Sequence, residues 1–197
     1  MSRSSLWGIK PNYFGEELKE YGNSWLFSPI IWDILSDKTL PRGFNGYVQT
    51  IIGLHGQEVW EKLNEKMNNS KNTTDRICWE ISNQQIFFTK DKIMISNHIK
   101  NFVEQNKNYD RSREDGLSPL EREHIIERFY EIADDILELD EKEYPYFVFK
   151  NTSCDDNVEY WFYEDKSLKD WNEFLAEFVV IENEQIKQFV RNEDFKY

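Results

Sequence analysis

The chain has 197 residues, of which 39% are hydrophobic and 16% aromatic, and its formal net charge is -13. So many large apolar side chains exclude a disordered polypeptide, and a chain of this length can bury a core without a metal or a disulfide. The acidic balance argues against nucleic acid as a partner, because Lys and Arg bind phosphate.

The sequence predicts neither a membrane span nor a signal peptide. No segment stays apolar over the roughly 18 residues that a bilayer requires, and the first residues lack an apolar core and a cleavage site. We therefore expect a cytoplasmic protein without a membrane partner. Its two cysteines, Cys78 and Cys154, are expected to be free thiols in that reducing compartment.

Three elements are predicted in the first third of the chain. A weakly alternating segment at 4–9 predicts a short strand. Ser28 and Pro29 have the pattern of an N-cap and a proline in the first helical turn, and they begin a helix that ends near Lys38. Apolar residues at helical spacing predict a second helix over 57–67.

A pair of strands and a helix are predicted in the middle of the chain. Residues 76–82 read RICWEIS and place three large apolar side chains on one face of an alternating pattern. This alternation predicts a strand, which we expect to pair with a second strand at 84–90. Apolar residues at helical spacing then predict a helix over 92–106.

The balance of charge changes sign within the charged segment 107–117. Residues 1–113 contain 15 Lys+Arg and 13 Asp+Glu, a balance of +2, whereas residues 114–197 contain 9 and 24, a balance of -15. Such asymmetry indicates a charged partner. We treat 1–197 as a single domain with a candidate sub-boundary at 107–117 and an acidic C-terminal portion, 118–197.

The acidic portion is expected to begin with a long helix over 118–140, whose first turn has the Ser118–Glu121 spacing of a capping box. Further elements follow it along the chain. They are predicted strands at 146–150 and 158–164 and predicted helices at 167–178 and 183–192. Together these elements predict an α+β protein in which several helices pack on a small antiparallel sheet.

One face of the predicted helix 118–140 carries a row of carboxylates. Glu127, Glu131, Asp134 and Glu138 follow each other at spacings of four, three and four residues, which stacks them along the helix. Like charges at these spacings cost a few tenths of a kcal/mol each, the helix dipole opposes acidic residues near its C-terminus, and the helix has no lysine to offset them. The row is either a solvated face, a contact surface for a basic protein or, as a third alternative, a cation site.

The acidic region continues at 155–165, where aromatic and acidic side chains are interleaved. Tyr and Trp are favoured at interface hot spots, and charge complementarity accelerates association. The aromatic residues at 160–163 face either a second core layer or a partner. The candidate partner-binding residues are Glu127, Glu131, Asp134, Asp135, Glu138, Asp155, Asp156, Glu159, Tyr160 and Trp161.

No catalytic, cofactor or metal motif is complete. The glycines are scattered, neither cysteine belongs to a CxxC pair, and Glu121-x-x-His124 is half of a di-iron motif that requires a second copy. We predict a protein without enzymatic activity and without a cofactor or metal. The alternative from another class is a small metal-dependent hydrolase that uses His124 and neighbouring carboxylates.

The segment 4–35, SSLWGIKPNYFGEELKEYGNSWLFSPIIWDIL, together with the acidic and aromatic composition, resembles bacterial toxin-immunity proteins. The resemblance implies a toxin inhibitor that binds a cationic toxin domain and occludes its active or substrate-binding surface, and it assigns no individual residue. Carboxylates can compete for the Lys and Arg side chains with which a nuclease binds phosphate. The alternative within binding proteins is a phage-encoded DNA mimic that inhibits a host defence nuclease.

Overall fold

A computed structural model describes residues 3–12, 14–40, 56–109, 118–152 and 178–190. The strands are β1 (Arg3–Ile9), β2 (Gly15–Gly22), β3 (Ile86–Phe88), β4 (Tyr146–Thr152), β5 (Phe178–Glu182) and β6 (Gln185–Val190). The helices are α1 (Ser28–Thr39), α2 (Gly56–Asn68), α3 (Thr73–Ser82), α4 (Lys92–Asn106) and α5 (Glu123–Leu137). No helix among these described residues is long and apolar enough to span a bilayer.

The six strands form one mixed sheet in the order β2-β1-β4-β3-β5-β6. Neighbouring strands are antiparallel except for the pair β3 and β5, which is parallel. The predicted α+β class is confirmed, with a larger sheet than expected and one parallel pair. Strands that precede the segment 107–117 in the chain are interleaved in the sheet with strands that follow it, because β4 lies between β1 and β3.

The sheet buries apolar side chains on both faces, since successive residues of a strand point to opposite sides. On the face that packs against the helices, Phe147 is in register with Gly8 and Phe87, and Phe87 with Val179. The opposite face carries the row Trp7, Val148, Ile86 and Phe178. On each face, side chains of four adjacent strands, β1, β4, β3 and β5, are therefore aligned in a row across the sheet.

Helix α5 packs on this core through the apolar stripe that its sequence predicts. Its residues Ile125, Phe129, Ile132, Ala133 and Ile136 are buried. The Phe129 ring lies between Phe27, at a centroid distance of 4.7 Å, and Phe102, at 6.2 Å. Removing such a buried aromatic ring typically costs about 3–5 kcal/mol, so this stripe fixes which side of α5 faces solvent.

Five predicted elements are confirmed, namely β1, α1, α2, α4 and β4. The predicted strand at 84–90 shortens to β3, and the predicted long helix begins as a 3₁₀ turn, Pro119–Glu121, before α5. The predicted strand 158–164 and nearly all of the predicted helix 167–178 lie outside the described residues, and Phe178 belongs to β5.

Two predictions were wrong. Residues 76–82 belong to helix α3, and their helical period is hidden because α1, α2, α4 and the sheet all contact this helix and residues 77–82 are all buried. The predicted helix at 183–192 contains strand β6, which pairs with β5 through a turn in which Asn183 and Glu184 have positive φ angles of 51° and 62°. Strand β2, which is rich in charge, was not predicted.

A candidate partner-binding surface on helix α5

The five candidate residues at 127–138 lie together on the side of α5 that faces away from the core. Glu127, Glu131, Asp134 and Glu138 are exposed, and Asp135 is half-buried at the edge of the row. Their spacing and the buried apolar stripe opposite them account for this arrangement. The other candidates, Asp155, Asp156, Glu159, Tyr160 and Trp161, lie outside the described residues.

Asp135 is bound by two side chains of the edge strand β2. Its carboxylate accepts hydrogen bonds from the Lys19 ammonium group, at 3.0 Å, and from the Tyr21 hydroxyl, at 2.7 Å. The Asp135 side chain is only 16% exposed. The hydrogen bond from Lys19 to Asp135 raises the pKa of Lys19, and burial together with the hydrogen bond to Asp135 raises the pKa of Tyr21. Asp135 therefore stabilises the packing of β2 against α5.

Arg128 adds a second connection between the same two elements. Its guanidinium group donates to Glu131 on α5 at 3.0 Å and to the backbone carbonyl of Gly22 at the end of β2, at 2.7 Å. It also lies 5.4 Å from the centre of the Tyr21 ring, within the range of a cation–π contact. We call the group Lys19, Tyr21, Arg128, Glu131 and Asp135 the β2–α5 clamp.

On the other flank of the row, α4 supplies the partners. Lys100 on α4 binds Asp134 at 2.6 Å, and the Tyr130 hydroxyl of α5 donates to Glu104 on α4 at 3.2 Å. The Asp134 side chain is 61% exposed, and an exposed ion pair of this kind contributes at most about 1 kcal/mol. Asp134 is neutralised in part, but it stays accessible to a partner.

Two carboxylates of the row have no such neighbour. Glu127 and Glu138 are exposed, and neither forms an ion pair with a described residue. The helix has no lysine of its own, but Glu131, Asp134 and Asp135 do have basic partners, which come from Arg128 within the helix and from β2 and α4. The clamp could not be predicted, since its Lys19 and Tyr21 lie in the strand that the sequence pattern did not reveal.

The residues that could support catalysis do not form an aligned pair in the described regions. The Cys78 thiol is fully buried 3.8 Å from the backbone carbonyl oxygen of His98, and burial raises the pKa of Cys78. The His98 ring instead contacts the Thr74 hydroxyl at 2.9 Å, and desolvation lowers the pKa of His98. His124 is exposed on α5. Among the residues that the structure describes, no group of three or more His, Cys, Asp or Glu side chains is arranged to hold a metal ion.

Comparison with known proteins gives no further guidance. No protein-family model matches the chain, and no curated protein and no solved structure is significantly similar to it. The resemblance to toxin-immunity proteins thus stays a hypothesis drawn from the sequence, and a functional proposal has to rest on the geometry of α5.

Proposed function

We propose that the chain is a non-enzymatic binding protein whose exposed α5 face contacts a basic protein, and that it acts as an immunity protein by occluding a cationic toxin domain. The observation that carries the proposal is the pair Glu127 and Glu138, which are exposed on the same helix face and have no ion-pair partner among the described residues. Glu131 and Asp134 lie between them and are 42% and 61% exposed.

Carboxylates at this spacing suit a partner that presents Lys and Arg side chains. Charge-assisted hydrogen bonds between carboxylates and guanidinium or ammonium groups are among the stronger polar contacts in proteins. The net charge of -13 accelerates the encounter with a cationic surface at low ionic strength. A toxin that binds phosphate would lose its substrate-binding groups to such an inhibitor.

The test is affinity capture from the native host, followed by an activity assay of the captured protein. The wild-type chain and the double variant Glu127→Lys with Glu138→Lys are immobilised at equal density. We expect the wild type to enrich a basic protein whose toxic activity it inhibits at a 1:1 ratio. The double variant is expected to lose at least about tenfold in affinity, since charge reversal places like charges at the contact.

The matched control reverses two carboxylates elsewhere. Glu61 and Glu65 are exposed on α2, so Glu61→Lys with Glu65→Lys changes the net charge by the same amount at a different surface. The control is expected to capture and inhibit the partner as the wild type does. If both double variants lost affinity equally, net charge alone would explain the effect. If both bound the partner as tightly as the wild type, the proposed role of the α5 face would be refuted.

A further inference from the structure

A tryptophan is exposed in the turn between β2 and α1. Trp25 belongs to the 3₁₀ turn Ser24–Leu26 between β2 and α1, and it is 48% exposed, whereas Trp7 and Trp79 are buried. The turn is held by Asn23, whose side chain accepts a hydrogen bond from the Trp25 backbone N–H at 3.3 Å. The exposed ring therefore projects from a backbone that is already ordered.

Two contacts, one on either side of the turn, connect the chain neighbours of Trp25 to α5. Before it, the Gly22 carbonyl accepts a hydrogen bond from Arg128 at 2.7 Å. After it, the Phe27 ring packs on Phe129 with a centroid distance of 4.7 Å. The chain between these contacts therefore passes Arg128 and Phe129 of α5, and Glu127 precedes these two residues in the same helix.

We propose that Trp25 is the aromatic anchor of the partner-binding surface and that it receives an arginine or lysine side chain of the basic partner next to Glu127 and Glu131. This inference rests on the proposed function and adds to it the residue that contributes most to affinity. Cations bind favourably over the face of an indole ring, and tryptophan is enriched among the few residues that dominate binding energy.

Charge complementarity indicates which kind of partner binds at this surface. Helix α5 carries Glu127, which forms no ion pair with a described residue, and Glu131, which is 42% exposed. A second copy of this chain would bring its own net charge of -13 to the same surface, and this repulsion opposes self-association. A basic protein is the partner that both the indole ring and the carboxylates fit.

Site-specific photo-crosslinking with the full chain tests the position of the contact. The photoreactive residue p-benzoylphenylalanine replaces Trp25, Glu127 or, as a control on α2, Glu61, and the chain is irradiated in its native host. We expect positions 25 and 127 to crosslink to the same basic protein, at peptides that contain Arg or Lys, and position 61 to give no such product.

The purified crosslinked partner then gives the energetic test, with unfolding curves as a check that each variant is folded. Trp25→Ala is expected to weaken binding by about tenfold or more, whereas Trp60→Ala, a truncation of the exposed tryptophan on α2, leaves it unchanged. Wild-type affinity in Trp25→Ala, or a crosslink from position 127 but not from position 25, overturns the inference and leaves the proposed function standing. Loss of binding in Trp25→Ala with full binding in Glu127→Lys/Glu138→Lys overturns the proposed function instead.

Discussion

Helix α5 combines carboxylates that hold the fold together with carboxylates that form no ion pair within the described residues. Asp135 is 16% exposed and bound by Lys19 and Tyr21 of β2, whereas Glu127, about two turns earlier, is exposed and forms no ion pair within the described residues. Both residues belong to the same acidic helix. The role of each carboxylate depends on which side chains of neighbouring elements lie within hydrogen-bonding distance of it. The regular spacing along the helix does not show which carboxylate has such a partner.

The largest expected effect on stability follows from the removal of Asp135, which is bound by β2. Asp135→Ala leaves the buried Tyr21 hydroxyl without its acceptor and leaves the Lys19 ammonium with Glu131 alone, at 3.5 Å. We expect it to lower the free energy of unfolding by about 2 kcal/mol. Glu127→Ala should change it by less than about 0.5 kcal/mol. Urea unfolding at neutral pH measures both variants. Equal losses of unfolding free energy would contradict the distinction between a carboxylate that supports the fold and one that does not.

A smaller loss is expected when the second connection of the clamp is removed. Arg128→Ala deletes the hydrogen bonds to Gly22 and Glu131 and the contact with the Tyr21 ring, which should cost about 1 kcal/mol. Arg122 precedes α5 and is exposed, so Arg122→Ala is the matched control with an expected change near zero. Thermal unfolding compares the two, and an Arg128→Ala variant as stable as the control would contradict the clamp.

A half-buried histidine, His98, is expected to make the stability of the fold depend on pH. Desolvation lowers the pKa of His98, although Glu184 opposes this shift. The unfolded chain therefore binds a proton more readily than the folded chain as the pH falls below about 6.5, and folding stability decreases there. His98→Gln, which can still bind the Thr74 hydroxyl, should reduce the loss of stability between about pH 7 and 5. Parallel unfolding curves of the wild type and His98→Gln measure this difference, and an equal loss of stability in both would contradict the role of His98.

The smallest effect on stability is expected for the two glutamates that we propose as partner contacts. Glu127→Lys with Glu138→Lys removes repulsion along the row and places a cation near the C-terminus of α5, which should stabilise the fold by a few tenths of a kcal/mol. Differential scanning calorimetry measures this change. A destabilisation of more than about 1 kcal/mol would mean that these residues, like Asp135, support the fold.

The parts of the fold that have one polar and one apolar face could be predicted from the sequence. Helix α5 is the clearest case, since Ile125, Phe129, Ile132 and Ile136 are buried at helical spacing and the carboxylates are exposed between them. Helix α3 has no such contrast, because packing on several sides buries both its polar and its apolar residues. Its N-cap Asn72, whose side chain accepts hydrogen bonds from Thr74 and Asp75, was the local signal that could have identified it.

The candidate site could be located from the sequence, but its internal pairing could not. The position of the carboxylate row follows from helical geometry alone. The partners of Asp135 and Asp134 are Lys19 and Lys100, which lie 116 and 34 residues away in the chain, and only the tertiary packing of β2 and α4 brings them there. Trp25 lies in an apolar segment of the sequence, and nothing local indicates that it is exposed.

The central claim is tested most directly by the rate at which the chain associates with its captured basic partner, measured by stopped flow over a range of salt concentrations. We predict that Glu127→Lys with Glu138→Lys slows association at least about tenfold at low salt and flattens the salt dependence, because exposed charges steer the encounter. An association rate and a salt dependence equal to those of the wild type would contradict a role for the exposed face of α5.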